Sequence, residues 1–289
     1  MSTDRLPRWR SLLFVPAHVQ RFIEGAGKRG ADGIILDLED AVPPAEKAAA
    51  RERLPESLAA VTANGTSALV RVNHHMRLIG ADLEAAVRPG LAALVLPKIE
   101  DAGFVRDVAD AVSQLEQERG LRDGHVRFIL QIESPSALFA LQAIAAAHPR
   151  IAAMTLGPED YAASIGAVPE ADALLTPNYA VLCAARAAGI LPLGFVGSIG
   201  AYDDLEAFSA RIRQARRMGF RGALIVHPSQ VGPVNEGFMP TEPEIDWARR
   251  VVAGDAEARA KGIGAFQVDG RMVDLPVVRR AQEILSLVD

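Results

Sequence analysis

The chain has 289 residues, 49% of them hydrophobic, and a formal charge of −5, enough to bury a large core in one sizeable domain. Mild acidity and the absence of a long basic run exclude nucleic acid as the main partner. A single cysteine, Cys183, excludes disulfides and cysteine-rich zinc sites and suits a reducing compartment.

The N-terminal MSTDRLPRWR is polar and basic, and the apolar SLLFVP behind it is cut short by proline. It reads as neither a signal peptide nor a membrane span, so a cytoplasmic protein with no membrane partner is expected. From there short apolar runs recur at the spacing of a βα unit: SLLFVP, GIILDLED, ALVRVN, ALVLPKIE, FILQIE, AAMTLG, LGFVGSI and ALIVHP. Runs apolar on both faces fit parallel strands covered by helices. Eight in succession predict an α/β protein of the (β/α)8 TIM-barrel type, because a doubly wound sheet needs fewer strands and a glycine-rich turn after the first, which LLFVPAHVQ lacks.

Between the runs, EKAAARERLPESLAAV, DAGFVRDVADAVSQLEQERG and DLEAFSARIRQARRMG carry apolar residues at three and four spacing, as outer helices do. The last two end at Gly120 and Gly219, where a left-handed cap is easily accommodated. The barrel is expected over residues 1–232. Residues 233–289 are expected to form a C-terminal helical extension or lid, with a helix begun near Thr241 and Pro243, a turn at Gly270 and a last helix. That tail looks too small for a core of its own, and is expected to fold over the barrel mouth or onto a neighbouring subunit.

Each apolar run ends in groups that bind or ionise: Asp37, Glu39 and Asp40, then Arg71 and Asn73, then Lys98 and Glu100, then Glu133, Asp160 and His227. A barrel enzyme places its site on that face. Glu133 and Asp160 end adjacent predicted strands, and two carboxylates facing one opening repel unless a proton or cation lies between them. A hard divalent ion, Mg²⁺ by default, resolves this; the alternative is that Glu133 merely ends its strand and Asp160 caps the next helix. Arg71 offers a planar fork of donors to a carboxylate or an enolate oxygen, or else a salt bridge to the Asp37/Glu39/Asp40 cluster; both can hold at once. His74 and His75, in a loop without a third ligand, read as solvated. No nucleophile elbow, phosphate loop or cysteine–base pair is present. What remains is a kit for polarising a 2-oxo acid and stabilising its enolate.

The strings RSLLFVPA, GADGIILDLEDAVPPAEKAAAR, LVRVN, LVLPKIE, IES with LGPEDYAASIG, GFRGALIVHPSQV and GRMVDLPVV resemble the citrate lyase β-subunit-like enzymes of the HpcH/HpaI aldolase superfamily, among them malyl-CoA and citramalyl-CoA lyases. The likeness runs from about residue 10 to about 285. It implies an Mg²⁺-dependent barrel, with Mn²⁺ as an alternative ion, assembled as a trimer or hexamer. The implied reaction cleaves a 3-hydroxy-3-carboxyacyl-CoA, releasing a 2-oxo acid and an acyl-CoA. Glu133 and Asp160 match the metal ligands, with Glu133 and Pro158 beside the substrate. Arg71 matches the arginine that holds the 2-oxo acid, and Asp274 an acid supplied by the lid of an adjacent subunit. Asp37, Glu39 and Asp40 would surround Arg71 and the metal's waters, Glu39 and Asp40 taking part in catalysis.

The chain departs from the pattern in its first turn, with Ala17 for a glycine and Gly25 for a lysine, which makes Arg21 and Lys28 the candidate contacts to coenzyme A. Two alternatives stand beside the lyase. One is a class II pyruvate aldolase without coenzyme A, which generally carries a histidine where this chain has Asp40. The other is a carrier-dependent citrate lyase β subunit cleaving a citryl thioester.

Overall fold

The computed structural model describes residues 6–200 and 202–288. In chain order the elements are β1 (Ser11–Pro16), α1 (Gln20–Ala26), β2 (Gly33–Asp37), α2 (Lys47–Thr62), β3 (Ser67–Arg71), α3 (Met76–Ala86), β4 (Leu91–Leu96), α4 (Ala102–Glu118), β5 (Arg127–Ile132), α5 (Pro135–Ala145), β6 (Ile151–Leu156), α6 (Pro158–Ser164), α7 (Ala171–Ala188), β7 (Leu191–Leu193), α8 (Leu205–Met218), β8 (Ala223–Ile225), α9 (Val231–Gly237), α10 (Glu242–Ala260), β9 (Phe266–Val268), β10 (Arg271–Val273) and α11 (Leu275–Leu285).

The first eight strands pair in parallel in the order β7-β6-β5-β4-β3-β2-β1-β8. The ends of that sheet meet through a parallel bridge between Leu193 and Gly222 and the bond from the Gly194 N–H to the Gly222 carbonyl, 2.8 Å. The result is a nearly closed eight-stranded barrel ringed by helices. Every residue of β2 and β6 is buried, as strands covered on both faces must be. Leu12, Ile35, Leu69, Val95, Ile129 and Leu224 fill the interior. Gly222 is required where the sheet closes, because a Cβ there would lie 2.0 Å from the Trp9 carbonyl oxygen.

Local signals set the helix ends. Asp101, Ser134 and Asp204 accept from the backbone at the starts of α4, α5 and α8, and Gly219 ends α8 in the left-handed conformation. The seventh apolar run differs from its expected form: only Leu191–Leu193 is strand. Gly194 and Gly197, at φ 134° and 150°, take the chain out of extended geometry, and the rest of LGFVGSI becomes loop.

The chain divides into two compact units at Asn235/Glu236. The second contains α10, an antiparallel β9–β10 hairpin and α11. Thr241 and Glu244 form a capping box at the start of α10. Against expectation this unit has a core of its own, made by Ala248, Val251, Val273, Val278 and Ala281. The hairpin turns the chain back so that α10 and α11 face each other, which the spacing around Gly270 did not reveal. Among the described residues no helix is long and apolar enough to cross a membrane.

Candidate active site at the strand ends

The candidate groups from β2 to β6 gather at the C-terminal ends of the strands. Arg71 is the last residue of β3, and its register partner is Asp37, the last of β2. Adjacency in the sheet therefore fixes the pair: Nε and Nη2 of Arg71 donate to the two carboxylate oxygens of Asp37, both at 2.7 Å. Asp37 is 1% exposed and also accepts the N–H groups of Glu39 and Ala41. Nη1 of Arg71 lies 3.1 Å from Glu39 Oε2, and the guanidinium sits 4.7 Å above the Phe14 ring, a cation–π contact from β1. Burial disfavours the guanidinium's charge, but Asp37, Glu39 and Glu133 more than offset it and hold its pKa above the usual value.

A second chain of contacts comes from β4. Lys98 Nζ donates to Glu39 Oε1 at 2.6 Å and lies 3.2 Å from Asp40, while its main-chain N–H donates to Glu133 Oε2 at 3.0 Å. Glu133, just past β5, is 4% exposed. Burial, then the charges of Glu39 and Asp160, push its carboxyl up to about 8 against the opposing pull of Arg71 and Lys98. Its side chain lies against Gly157, where a Cβ would come within 2.5 Å of Glu133 Cγ. Gly157 leads into α6, whose first turn carries Asp160 and is started by Pro158.

Glu133 and Asp160 both line a cleft with Arg71, Phe14, Gln131 and Pro158. Both also line an adjoining recess with His74, Lys98 and Glu100. Among the described residues no three His, Cys, Asp or Glu side chains are grouped to hold a metal, so two carboxylates are what the chain presents. That donor set, a glycine cradle behind one of its members and a carboxyl raised by burial and then by its acidic neighbours fit a hard divalent cation that completes its shell with water or substrate oxygens.

His74 is not the solvated loop residue expected. It is half-buried, lines the recess, and its ring lies 5.0 Å from Phe104; burial, then His75 and Lys98, lower its pKa. His227 stacks on Tyr202 with ring centroids 4.6 Å apart, and its Nδ1 is 2.7 Å from Ser229 Oγ. Arg21 is the second residue of α1, exposed, with its guanidinium over Phe22.

Lys28 is not brought to the strand ends. It follows α1, and the neighbouring Gly27 carbonyl accepts from Thr66 at the start of β3. That is the opposite end of a strand from Arg71, roughly 15 Å away at about 3.3 Å per residue. A coenzyme A contact from Lys28 to this opening is therefore not supported, since a residue after an outer helix returns to the N-terminal face of the sheet. Asp274 lies in the second unit, where it caps α11 by accepting from the Val277 N–H.

Lys47, missed in the sequence, backs the whole acidic loop. Its Nζ donates to the Leu38 and Glu39 carbonyls at 2.7 and 2.6 Å and to Asn73 Oδ1 at 2.8 Å. Asn73 in turn donates to Leu38 O and to the fully buried Asp82, which Arg51 holds from α2. A signal was available: a lysine at the first position of a helix opposes the macrodipole unless another partner employs its charge.

Residues 10–228 match the family model described as HpcH/HpaI aldolase/citrate lyase. The chain is 34% identical to the citrate lyase subunit beta of Leuconostoc mesenteroides subsp. cremoris, covering 100% of this chain and 95% of that protein. It is 32% identical to an L-malyl-CoA/beta-methylmalyl-CoA lyase of Cereibacter sphaeroides, covering 96% and 93%. In structure it resembles the CitE protein of Mycobacterium tuberculosis solved in complex with magnesium, acetoacetate and coenzyme A, with TM-score 0.74 and 29% identity over 98% of this chain and 99% of that one. The chain thus belongs to the HpcH/HpaI aldolase/citrate lyase family.

Proposed function

We propose that this protein is a Mg²⁺-dependent carbon–carbon lyase that cleaves a 3-hydroxy-3-carboxyacyl-CoA such as malyl-CoA or citramalyl-CoA into a 2-oxo acid and an acyl-CoA. One observation carries it: Glu133 and Asp160, from neighbouring strand ends, face the same cleft as Arg71, in a member of a lyase family whose relatives include a malyl-CoA lyase and a magnesium- and coenzyme A-bound CitE. Glu133 and Asp160 would hold the cation. When bound, Mg²⁺ supplies a Lewis acid that lowers the pKa of the substrate hydroxyl and stabilises charge on the oxygen as a carbonyl forms.

Arg71 receives the carboxylate end. Two of its five N–H groups donate to Asp37, and Nη1 lies in ion-pair contact with Glu39, which leaves outer donors, held in place by those acids, for the substrate. A water beside the half-exposed Asp40 takes the hydroxyl proton, the carbon–carbon bond breaks, and its electron pair passes to the thioester enolate. Asp274 then protonates the enolate carbon. In this reading residues 1–232 form the catalytic barrel, residues 233–289 are the lid that delivers Asp274 to a neighbouring subunit, and the protein works as a cytoplasmic homotrimer or hexamer. Arg21 remains the candidate coenzyme A contact near the mouth.

The test is a substrate panel. Malyl-, citramalyl-, methylmalyl- and citryl-CoA are offered to the isolated protein with Mg²⁺ and with a chelator. Chelator-sensitive release of glyoxylate, pyruvate or oxaloacetate supports the proposal. The likeness to citrate lyase β subunits favours a second reading, a carrier-dependent subunit. Activity only with an acyl-carrier thioester, together with co-purifying partner chains, would select it.

A further inference from the structure

Lys98 is one of two non-glycine residues among those described with a positive φ, at 52°. A lysine in that region is strained, and such strain persists where surrounding contacts over-determine it. Here the contacts are visible. The left-handed turn directs the Lys98 N–H to Glu133 Oε2 at 3.0 Å, and the next residue, Ile99, donates to the Gln131 carbonyl of β5 at 3.2 Å. One oxygen of Glu133 is thereby engaged by the main chain. The side chain runs the other way: Nζ is 2.6 Å from Glu39 Oε1 and 3.2 Å from Asp40 Oδ2, and the second oxygen of Glu39 is the one beside Arg71 Nη1. Lys98 thus links Glu133, one of the two cleft carboxylates, to Glu39, the acid packed on Arg71.

Resting on the reading of this site as a divalent-cation lyase, we propose that Lys98 is a positioning residue with two separable tasks: its strained main chain aims Glu133 at the cation, and its ammonium holds Glu39 so that Arg71 keeps its outer donors toward the substrate's carboxylate. Glycine at this position adopts the left-handed backbone without strain and keeps the N–H while removing the ammonium. Alanine removes the ammonium and keeps the strain. Proline removes the N–H and forces φ negative. Lys98→Gly therefore parts the two tasks, and the loss of a nearby positive charge cannot weaken a cation's binding by repulsion.

The experiment measures Mn²⁺ binding to the full chain by calorimetry, then pyruvate binding to the Mn²⁺-loaded protein, for wild type and for Lys98→Gly, Lys98→Ala, Lys98→Arg and Lys98→Pro, with thermal unfolding of each metal-free protein. Lys98→Gly is expected to bind Mn²⁺ at least as tightly as wild type, to lose tenfold or more in pyruvate affinity, and to melt above Lys98→Ala. Lys98→Arg should recover most of the pyruvate affinity, and Lys98→Pro should lose tenfold or more in Mn²⁺ affinity. A Lys98→Gly variant that loses Mn²⁺ as Lys98→Pro does, or that binds pyruvate like wild type, overturns the division of tasks while leaving the lyase proposal standing. Wild type that binds no Mn²⁺ overturns the cation site itself, and with it the main-chain half of this inference.

Discussion

Replacing Glu133 with glutamine should stabilise the metal-free protein and remove its response to magnesium. The carboxyl is pushed from an ordinary value of 4.5 up to about 8 by burial and by the charges of Glu39 and Asp160. The sign follows from proton counts: between those values the folded state keeps a proton that the unfolded state releases, so stability falls as pH rises through that window. It is fully present below 4.5 and lost by about 8. At about 1.4 kcal/mol per pH unit, ionisable Glu133 costs the metal-free fold roughly 3 kcal/mol at pH 7 and roughly 5 kcal/mol above pH 8. Glutamine has the same shape, accepts the Lys98 N–H as before, and carries no such cost. Divalent metal should restore the wild type by binding the folded state alone, by about 3 kcal/mol at a hundred times its dissociation constant. The assay is urea unfolding of both proteins from pH 6 to 9, with EDTA and with Mg²⁺. In EDTA the gap between them should widen toward pH 8, and only wild type should gain from Mg²⁺. A variant no more stable than wild type at pH 8 in EDTA, or one that retains the Mg²⁺ gain, would refute the account of Glu133 as a desolvated carboxylate awaiting a cation.

Three further outcomes are expected. Gly157→Ala, whose Cβ would fall 2.5 Å from Glu133 Cγ and 2.7 Å from Oε1, should displace that carboxylate and weaken Mn²⁺ binding at least tenfold by titration calorimetry; unchanged affinity would show that Glu133 does not need this cradle. Arg71→Lys keeps a positive charge but loses the paired bonds to Asp37, so KM for the thioester should rise tenfold or more in steady-state assays, with stability lowered by about 1–3 kcal/mol. Asp274→Asn preserves the cap on α11, since asparagine caps as well as aspartate. It should keep Mn²⁺ affinity and helix content while losing turnover by a factor of a hundred or more, and a fully active variant would exclude Asp274 as the proton donor.

Much of this was legible in the order of the residues. Alternating short apolar runs and amphipathic segments determined a parallel barrel, because a strand buried on both faces and a helix buried on one leave different periodicities in sequence. The same order put Asp37, Arg71, Glu133 and Asp160 at strand ends, and parallel pairing makes the ends of successive strands neighbours. Only the tertiary structure decided what lies across from what. Lys47 looked like an ordinary first residue of an outer helix until α2 was seen to back the Leu38–Asp40 loop, and His74 looked solvated until the recess formed around it. Lys28 shares its type with a plausible ligand contact but returns to the far face of the barrel, and the hairpin that gives the C-terminal unit its core depends on a pairing no local period records. The positive φ of Lys98 belongs to the same class, since nothing in the string PKIE announces a strained backbone. Composition and period report what each segment buries, whereas the aim of a side chain is set by contacts from segments distant in the chain.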